Sequence, residues 1–234
     1  MSILNTIITE LQKYSTEEKR QILPRFFKTG KGEYGEGDKF LGVTVPNIRM
    51  VAKQFKDSCS LNDADELMRS EWHDVRMCTL LLLIHMLKGA DETRKKEVFD
   101  FYLSHTGHIN NWDLVDVSAP TIVGKYLQDK DRTILYQLAE SQSLWENRIA
   151  IVSTYSFIKK GDLADTYALA GKMMHHPHDL MHKAMGWMLR EAGKIDKSSL
   201  AAFLEKHHRE MPRTMLRYSI EKFPQEERKH FMKR

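Results

Sequence analysis

The stretch WDLVDVSAPTIVGKYL (residues 112–127) decides the fold. Its apolar residues recur at spacings of three and four, the mark of a helix with one face turned to a core. Asn110 and Asn111 precede it as helix-capping residue types, and Trp112 and Asp116, four apart, fall on one face. The same spacing runs through most of the chain, and period-two alternation rich in Val, Ile and Thr is nearly absent, so the spacing predicts an all-α protein.

Working outward, helices are expected over residues 3–14, 16–27 and 45–55. Paired helices are then expected over 61–69 with 73–87, 91–104 with 112–127, 131–140 with 144–158, 163–174 with 180–192, and 198–208 with 213–223. Ser15 with Glu18 reads as the capping box of the second helix, and Pro24 as a kink in it. Residues 29–43 break the pattern with Gly30, Gly32, Gly35, Gly37 and Gly42, which makes that segment a loop or short β-hairpin. Thr44 and Pro46 restart the helical pattern. Anchored on Arg76, Trp112, Arg148 and Lys183 near the start of each second helix, the pairs repeat about every 36 residues. Units of this kind bury their apolar faces only by stacking on their neighbours. One solenoid domain over residues 1–234 is expected, with the second helices lining a concave surface.

Composition narrows the function. Apolar residues make up 41% of 234, enough for a folded core. The longest apolar run, residues 80–84, is far short of a membrane span, and residues 1–8 lack the basic start and cleavage site of a signal peptide. The expectation is a cytosolic protein that makes no membrane contact. Cys59 and Cys78 read as reduced thiols, the second inside an apolar stretch. A formal net charge of +4 suits a nucleic-acid partner if the positive charge is gathered on one face. The glycine series has neither the preceding strand nor the Lys-Ser/Thr of a phosphate-binding loop. His175, His176, His178 and His182 straddle a proline-containing loop without a Cys or acidic pair to complete a metal site, so no metal or organic cofactor is expected.

Two carboxylates stand out. Asp113, three residues after Asn110, is placed to meet helix-terminal amides. Asp116 lies between Val115 and Val117, where an unpaired carboxylate would be costly. It needs a partner, with Arg148 as the candidate ion pair, or a chemical task. Spacing alone puts Trp187 in the core, with Gly186 allowing a close helix approach, and treats Trp72 and Trp145 as structural aromatics at helix starts.

The chain resembles the AlkD-type DNA alkylation repair proteins, the HEAT-like repeat DNA glycosylase family, over nearly its whole length. The likeness is carried by NWDLVD at residues 111–116 with Pro120 and Gly124, by Trp145 and Arg148, by KAMGWMLRE at residues 183–191, and by FLGVTVP at residues 40–46 with Arg49. It implies a right-handed solenoid of HEAT-like antiparallel helix pairs gripping duplex DNA in its concave face, acting as a monomer. Asp116 would then be the catalytic carboxylate, and Trp112 and Trp187 would flank the lesion's deoxyribose. Arg148, Arg190, Lys183, Thr44 and Arg49 would hold the DNA backbone. The implied reaction is excision of N3- or N7-alkylated purines without base flipping. The glycine-rich insertion over residues 28–40 looks like the β-hairpin of relatives that bind branched DNA. That leaves a non-catalytic binder of branched or distorted DNA as the alternative, and a HEAT-type protein scaffold as a weaker one.

Overall fold

The computed structural model describes residues 2–233, and every regular element among them is helical. The helices divide into two compact units, Met1–Ser118 and Ala119–Arg234.

The first unit contains α1 (Ile3–Gln12), α2 (Glu17–Phe26), α3 (Val45–Phe55), α4 (Leu61–Met68), α5 (His73–Met86), α6 (Glu92–Ser104) and α7 (Trp112–Ala119). Its core gathers Ile7, Leu11, Val51, Leu67, Met68, Leu80, Leu82, Leu83 and Tyr102. At the centre is α5, packed by α3 and α4 and touched by α1 and α6. Every residue of α5 from His73 through Leu83 is buried. Polar side chains on so covered a helix need internal partners. Thr79 Oγ1 accordingly donates to the Val75 carbonyl at 2.8 Å, and Asp74 accepts from the Leu41 and Val43 amides at 2.7 and 2.9 Å.

Those last two bonds pin the end of the glycine-rich segment, which is a chain of turns and not a hairpin. Successive i→i+3 bonds (Glu33 N to Gly30 O, Glu36 N to Glu33 O, Asp38 N to Gly35 O) take up three of its amides, while the Gly35 and Gly37 amides reach back to the Lys28 and Thr29 carbonyls without forming a strand ladder. Among the described residues the one β-bridge joins Lys39 to Trp72. The β-hairpin alternative is thereby corrected. The segment has five glycines and almost no β-branched residues, so turns outcompete strands. Gly42 is indispensable to this path: its φ is +85°, and a Cβ there would sit 2.7 Å from Arg20 Cγ.

The second unit contains α8 (Thr133–Ala139), α9 (Leu144–Ser153), α10 (Tyr155–Ile158), α11 (Ala164–Lys172), α12 (Asp179–Ile195), α13 (Lys197–His207), α14 (Arg213–Ser219) and α15 (Gln225–Met232). The pairs α8/α9, α11/α12 and α12/α13 pack directly, and the second helices stack in the order α9, α12, α14, as stacked helix pairs require. Gly186 makes the α12–α14 contact possible, since a Cβ there would meet Tyr218 Cβ at 2.5 Å and the Met215 carbonyl at 2.6 Å.

Other details depart from expectation. Thr16, not Ser15, caps α2, because Ser15 Oγ is committed to the Leu41 carbonyl. Pro24 lies in the last turn of α2, which ends two residues later at Phe26. The helix opened by Trp112 does not run unbroken to residue 127. Its α-helical hydrogen bonding stops at Ala119, and Pro120–Gly124 form a π-helical turn. Proline has no amide to donate and crowds the carbonyl four residues back, so an i→i+5 turn takes over. Finally, α15 was not expected, although Glu226 and Glu227 in its first turn and Lys229 and His230 in its last suit the helix dipole.

Candidate nucleic-acid interface and active site

On α7, Leu114, Val115, Ser118 and Ala119 are buried, while Trp112, Asp113, Asp116, Val117 and Pro120 are partly exposed. The exposed set follows i, i+1, i+4, i+5 and i+8, a single face. Trp112 and Asp116 therefore look out together, one turn apart. Asn111 opens the helix: it is fully buried, its Oδ1 accepts from the Trp112 amide at 2.9 Å, and its carbonyl accepts from Val115 N at 3.2 Å.

The Trp112 indole is stacked on Phe27 at 5.5 Å and meets Phe26 edge-on at 5.9 Å. Phe27 in turn stacks on Phe40 at 5.1 Å, and Phe40 on the His73 imidazole at 4.5 Å. These rings, with Thr44, Val45 and Pro46 at the start of α3 and Lys19 of α2, line a cleft of about 450 Å³. Trp112 and Thr44 thus share one surface. Thr44 makes no side-chain cap bond, and Arg49 is exposed one turn further along α3. Phe26 is 58% exposed beside this cleft, which is unusual for so large an apolar ring.

Behind the rings lies a polar network that sequence reasoning missed. His73 Nδ1 bonds Asp38 Oδ2 and His73 Nε2 bonds Asp113 Oδ2, each at 2.9 Å. Arg76 Nη2 donates to Asp38 Oδ1 at 2.5 Å and to Asn110 Oδ1 at 3.0 Å, and Asn110 Nδ2 donates to Asp38 at 3.1 Å. Burial by itself would depress the His73 pKa, but the charge of Asp113 and the hydrogen bonds to Asp113 and Asp38 raise it to about 9. For Asp38, burial opposes ionisation. The hydrogen bond from His73 and the charge of Arg76 outweigh it and hold the carboxyl below its usual range. Asp113 does reach a helix-terminal amide, accepting from Leu114 N at 2.9 Å, but its other oxygen belongs to His73. A histidine opening the long apolar stretch of α5 was the one available signal.

In the second unit, Trp187 is half-exposed and not in the core, 5.9 Å from Tyr155. On α12 it shares the outer stripe with Lys183 and Arg190. Lys183 Nζ pairs with Asp179 at 2.7 Å, and Arg190 pairs with Glu221 and Glu191. Arg148 is 5% exposed, and its Nη1 donates to the Leu180 carbonyl at 2.7 Å, fixing it against the first turn of α12. Trp145 is buried at the start of α9. In the histidine-rich segment, His176 Nε2 bonds Asn147 Oδ1 at 3.1 Å and His182 Nε2 bonds the His176 carbonyl at 2.6 Å. Among the described residues no helix is long and apolar enough to cross a membrane, and no group of three or more His, Cys, Asp or Glu side chains could hold a metal ion.

Among curated proteins none matches the chain. In fold it is similar to a solved structure described as a "Predicted DNA alkylation repair enzyme from Enterococcus faecalis", with a TM-score of 0.70 at 12% identity, over 90% of this chain and 97% of that one. The family model for DNA alkylation repair enzyme matches residues 7–223. With a family match that spans nearly the whole sequence, the chain belongs to the DNA alkylation repair enzyme family.

Proposed function

We propose that the protein is a monofunctional DNA glycosylase that hydrolyses the glycosidic bond of cationic N3- or N7-alkylated purines in double-stranded DNA, without turning the nucleotide out of the helix. The observation that carries this reading is the single exposed face of α7, where Asp116 and Trp112 stand one turn apart. Ring alkylation places a positive charge on the base. When the bond between C1′ and the ring nitrogen breaks, its electrons neutralise that charge, and the base departs without a general acid. Positive charge then develops on the sugar. The Asp116 carboxylate stabilises it, as carboxylates do in glycoside hydrolysis, and orients the water that adds to C1′ and releases a proton.

The Trp112 indole adds cation–π attraction of about 0.5–2 kcal/mol to the same developing charge. By the family resemblance, Trp187 on α12 is assigned the same role. No lysine stands at the position of Asp116, so no lyase step is assigned. The chemistry draws on these side chains and water, and neither a metal nor an organic cofactor enters it.

Backbone grip is assigned to Arg49 and Thr44 at the start of α3, to Lys183 and Arg190 on α12, and to Arg148, a cation fixed against the first turn of α12. Lys183 and Arg190 are paired with carboxylates, so phosphate must displace Asp179 and Glu221, and binding should be strongly salt-dependent. The Arg49→Ala variant is expected to weaken duplex binding evenly across sequences and to reduce the slope of log affinity against log salt by about one. Fluorescence anisotropy titrations at several salt concentrations measure this, and an unchanged slope removes Arg49 from the interface.

The experiment for the reading as a whole is base release from methylated duplex DNA. The expected result is free 7-methylguanine or 3-methyladenine, acting as a monomer. Absence of release together with tight binding of four-way junctions replaces the glycosylase with a non-catalytic binder of branched DNA. Failure to bind any DNA form at low salt points instead to a protein-binding scaffold.

A further inference from the structure

We infer that His73 is a positioning residue for the Trp112 indole: by bonding Asp38 of the glycine-rich loop and Asp113 of α7 from opposite sides of its ring, it locks the start of the substrate-facing helix to that loop. The inference deepens the glycosylase reading and rests on it for the role of Trp112. It also gives the loop a task, which is to brace α7 from behind.

Three observations converge on it. The first is reach. Asp38 belongs to the loop, yet its two oxygens bond His73 and Arg76 on α5 and Asn110 just before α7, so one carboxylate ties three segments together. The second is charge balance. The side chains of Asp38, His73, Arg76 and Asp113 are at most 12% exposed, and two cations face two anions. Removing one of them leaves an uncompensated charge in a poorly solvated place. The third is mechanical continuity, because Phe40 lies on His73, Phe27 touches both Phe40 and His73, and Trp112 lies on Phe27, so the rings form one contiguous cluster. The indole cannot swing without moving Phe27, and α7 cannot slide at its start without breaking the bond to Asp113.

Only an imidazolium serves here. It donates from two nitrogens on opposite sides of a flat ring, reaches two carboxylates at once, and stacks on an aromatic neighbour. A glutamine amide donates only from its single nitrogen, and a lysine has no ring to place in the cluster. A neutral imidazole donates from one nitrogen, so loss of the proton must release one of the two carboxylates. The charged groups around His73 are Asp38 from the loop, Asp74 and Arg76 on α5, Asp113 on α7, and Lys19 on α2 at the mouth of the cleft.

The test follows wild-type protein from pH 7 to 10 by NMR, with 15N-labelled histidine and tryptophan. The expected result is that His73 remains doubly protonated until pH nears 9, and that the Trp112 indole resonance shifts in the same titration while those of Trp145 and Trp187 stay put. A His73 that titrates near its ordinary value of 6.5, or a Trp112 resonance indifferent to His73, overturns the inference. In base-release kinetics His73→Gln is expected to lower kcat by about 10- to 100-fold with KM nearly unchanged, as for a group misplaced by an ångström or less. An unchanged kcat in a folded variant also overturns it. The NMR arm needs no catalysis and no variant. If wild type releases no base, the glycosylase reading fails while the coupling of His73 to Trp112 is still decided.

Discussion

Asp116→Asn is expected to lower the rate of 7-methylguanine release from methylated duplex by about 10²- to 10³-fold, the usual cost of removing one well-placed electrostatic group from a transition state. The substitution keeps shape and size and removes only the charge. Asp116 is partly exposed on α7 and asparagine matches its size, so the fold should survive. Affinity for undamaged duplex should change little. The carboxylate repels phosphate weakly at most, and its benefit arises only as charge builds on the sugar. Single-turnover release at saturating enzyme separates this step from binding. Equal rates for wild type and variant would show that the developing charge is stabilised elsewhere, and Asp116 would lose its assignment.

Gly124→Ala should cost the second unit about 3 kcal/mol or more and lower its melting temperature by about 10 °C. A Cβ at Gly124 would lie 2.2 Å from the Ser153 carbonyl oxygen and 3.1 Å from Ser156 Cβ. The obstacle is backbone, so no side-chain rotation relieves it. The π-helical turn and α9 would have to separate, opening gaps on both sides. Gly107→Ala is the control: nothing lies within 4 Å of its Cβ position, and its φ is not in the left-handed region. Thermal unfolding followed by circular dichroism compares the two, and matching melting temperatures would mean that the close approach at Gly124 carries no weight.

The His73 network also predicts how stability depends on pH. The folded pKa of His73 is raised, so its contribution is fully present below the unfolded value of 6.5 and is lost as pH climbs through about 9. The folded pKa of Asp38 is lowered, so its contribution is present above 3.8 and is lost as pH falls below it. The ion cluster therefore contributes most between about pH 3.8 and 6.5, and weakens as pH rises toward 9, where a neutral imidazole drops one carboxylate.

Much of this molecule is legible in its amino-acid order. Each helix from α1 through α14 lies within or near an expected stretch, because a spacing of three and four residues is the local signature of burying one side of a helix. The ends were less legible. Capping at α2 went to Thr16 because Ser15 had a carbonyl 26 residues away to bond, and no nearby residue signals that. Trp187 was placed in the core by its apolar neighbours, yet its side chain joins the stripe of Lys183 and Arg190. Helical spacing alone does not tell a half-exposed indole at the edge of an apolar face from one inside it.

What the amino-acid order determined by itself is the pairing of Trp112 with Asp116, because residues four apart on a helix must share a face whatever packs behind them. The tertiary structure alone decided the partner of Asp113. In the local pattern that carboxylate is indistinguishable from a helix-capping acid. It becomes one side of a buried clamp only because a histidine 40 residues earlier, itself held by an aspartate 35 residues before that, is folded against it.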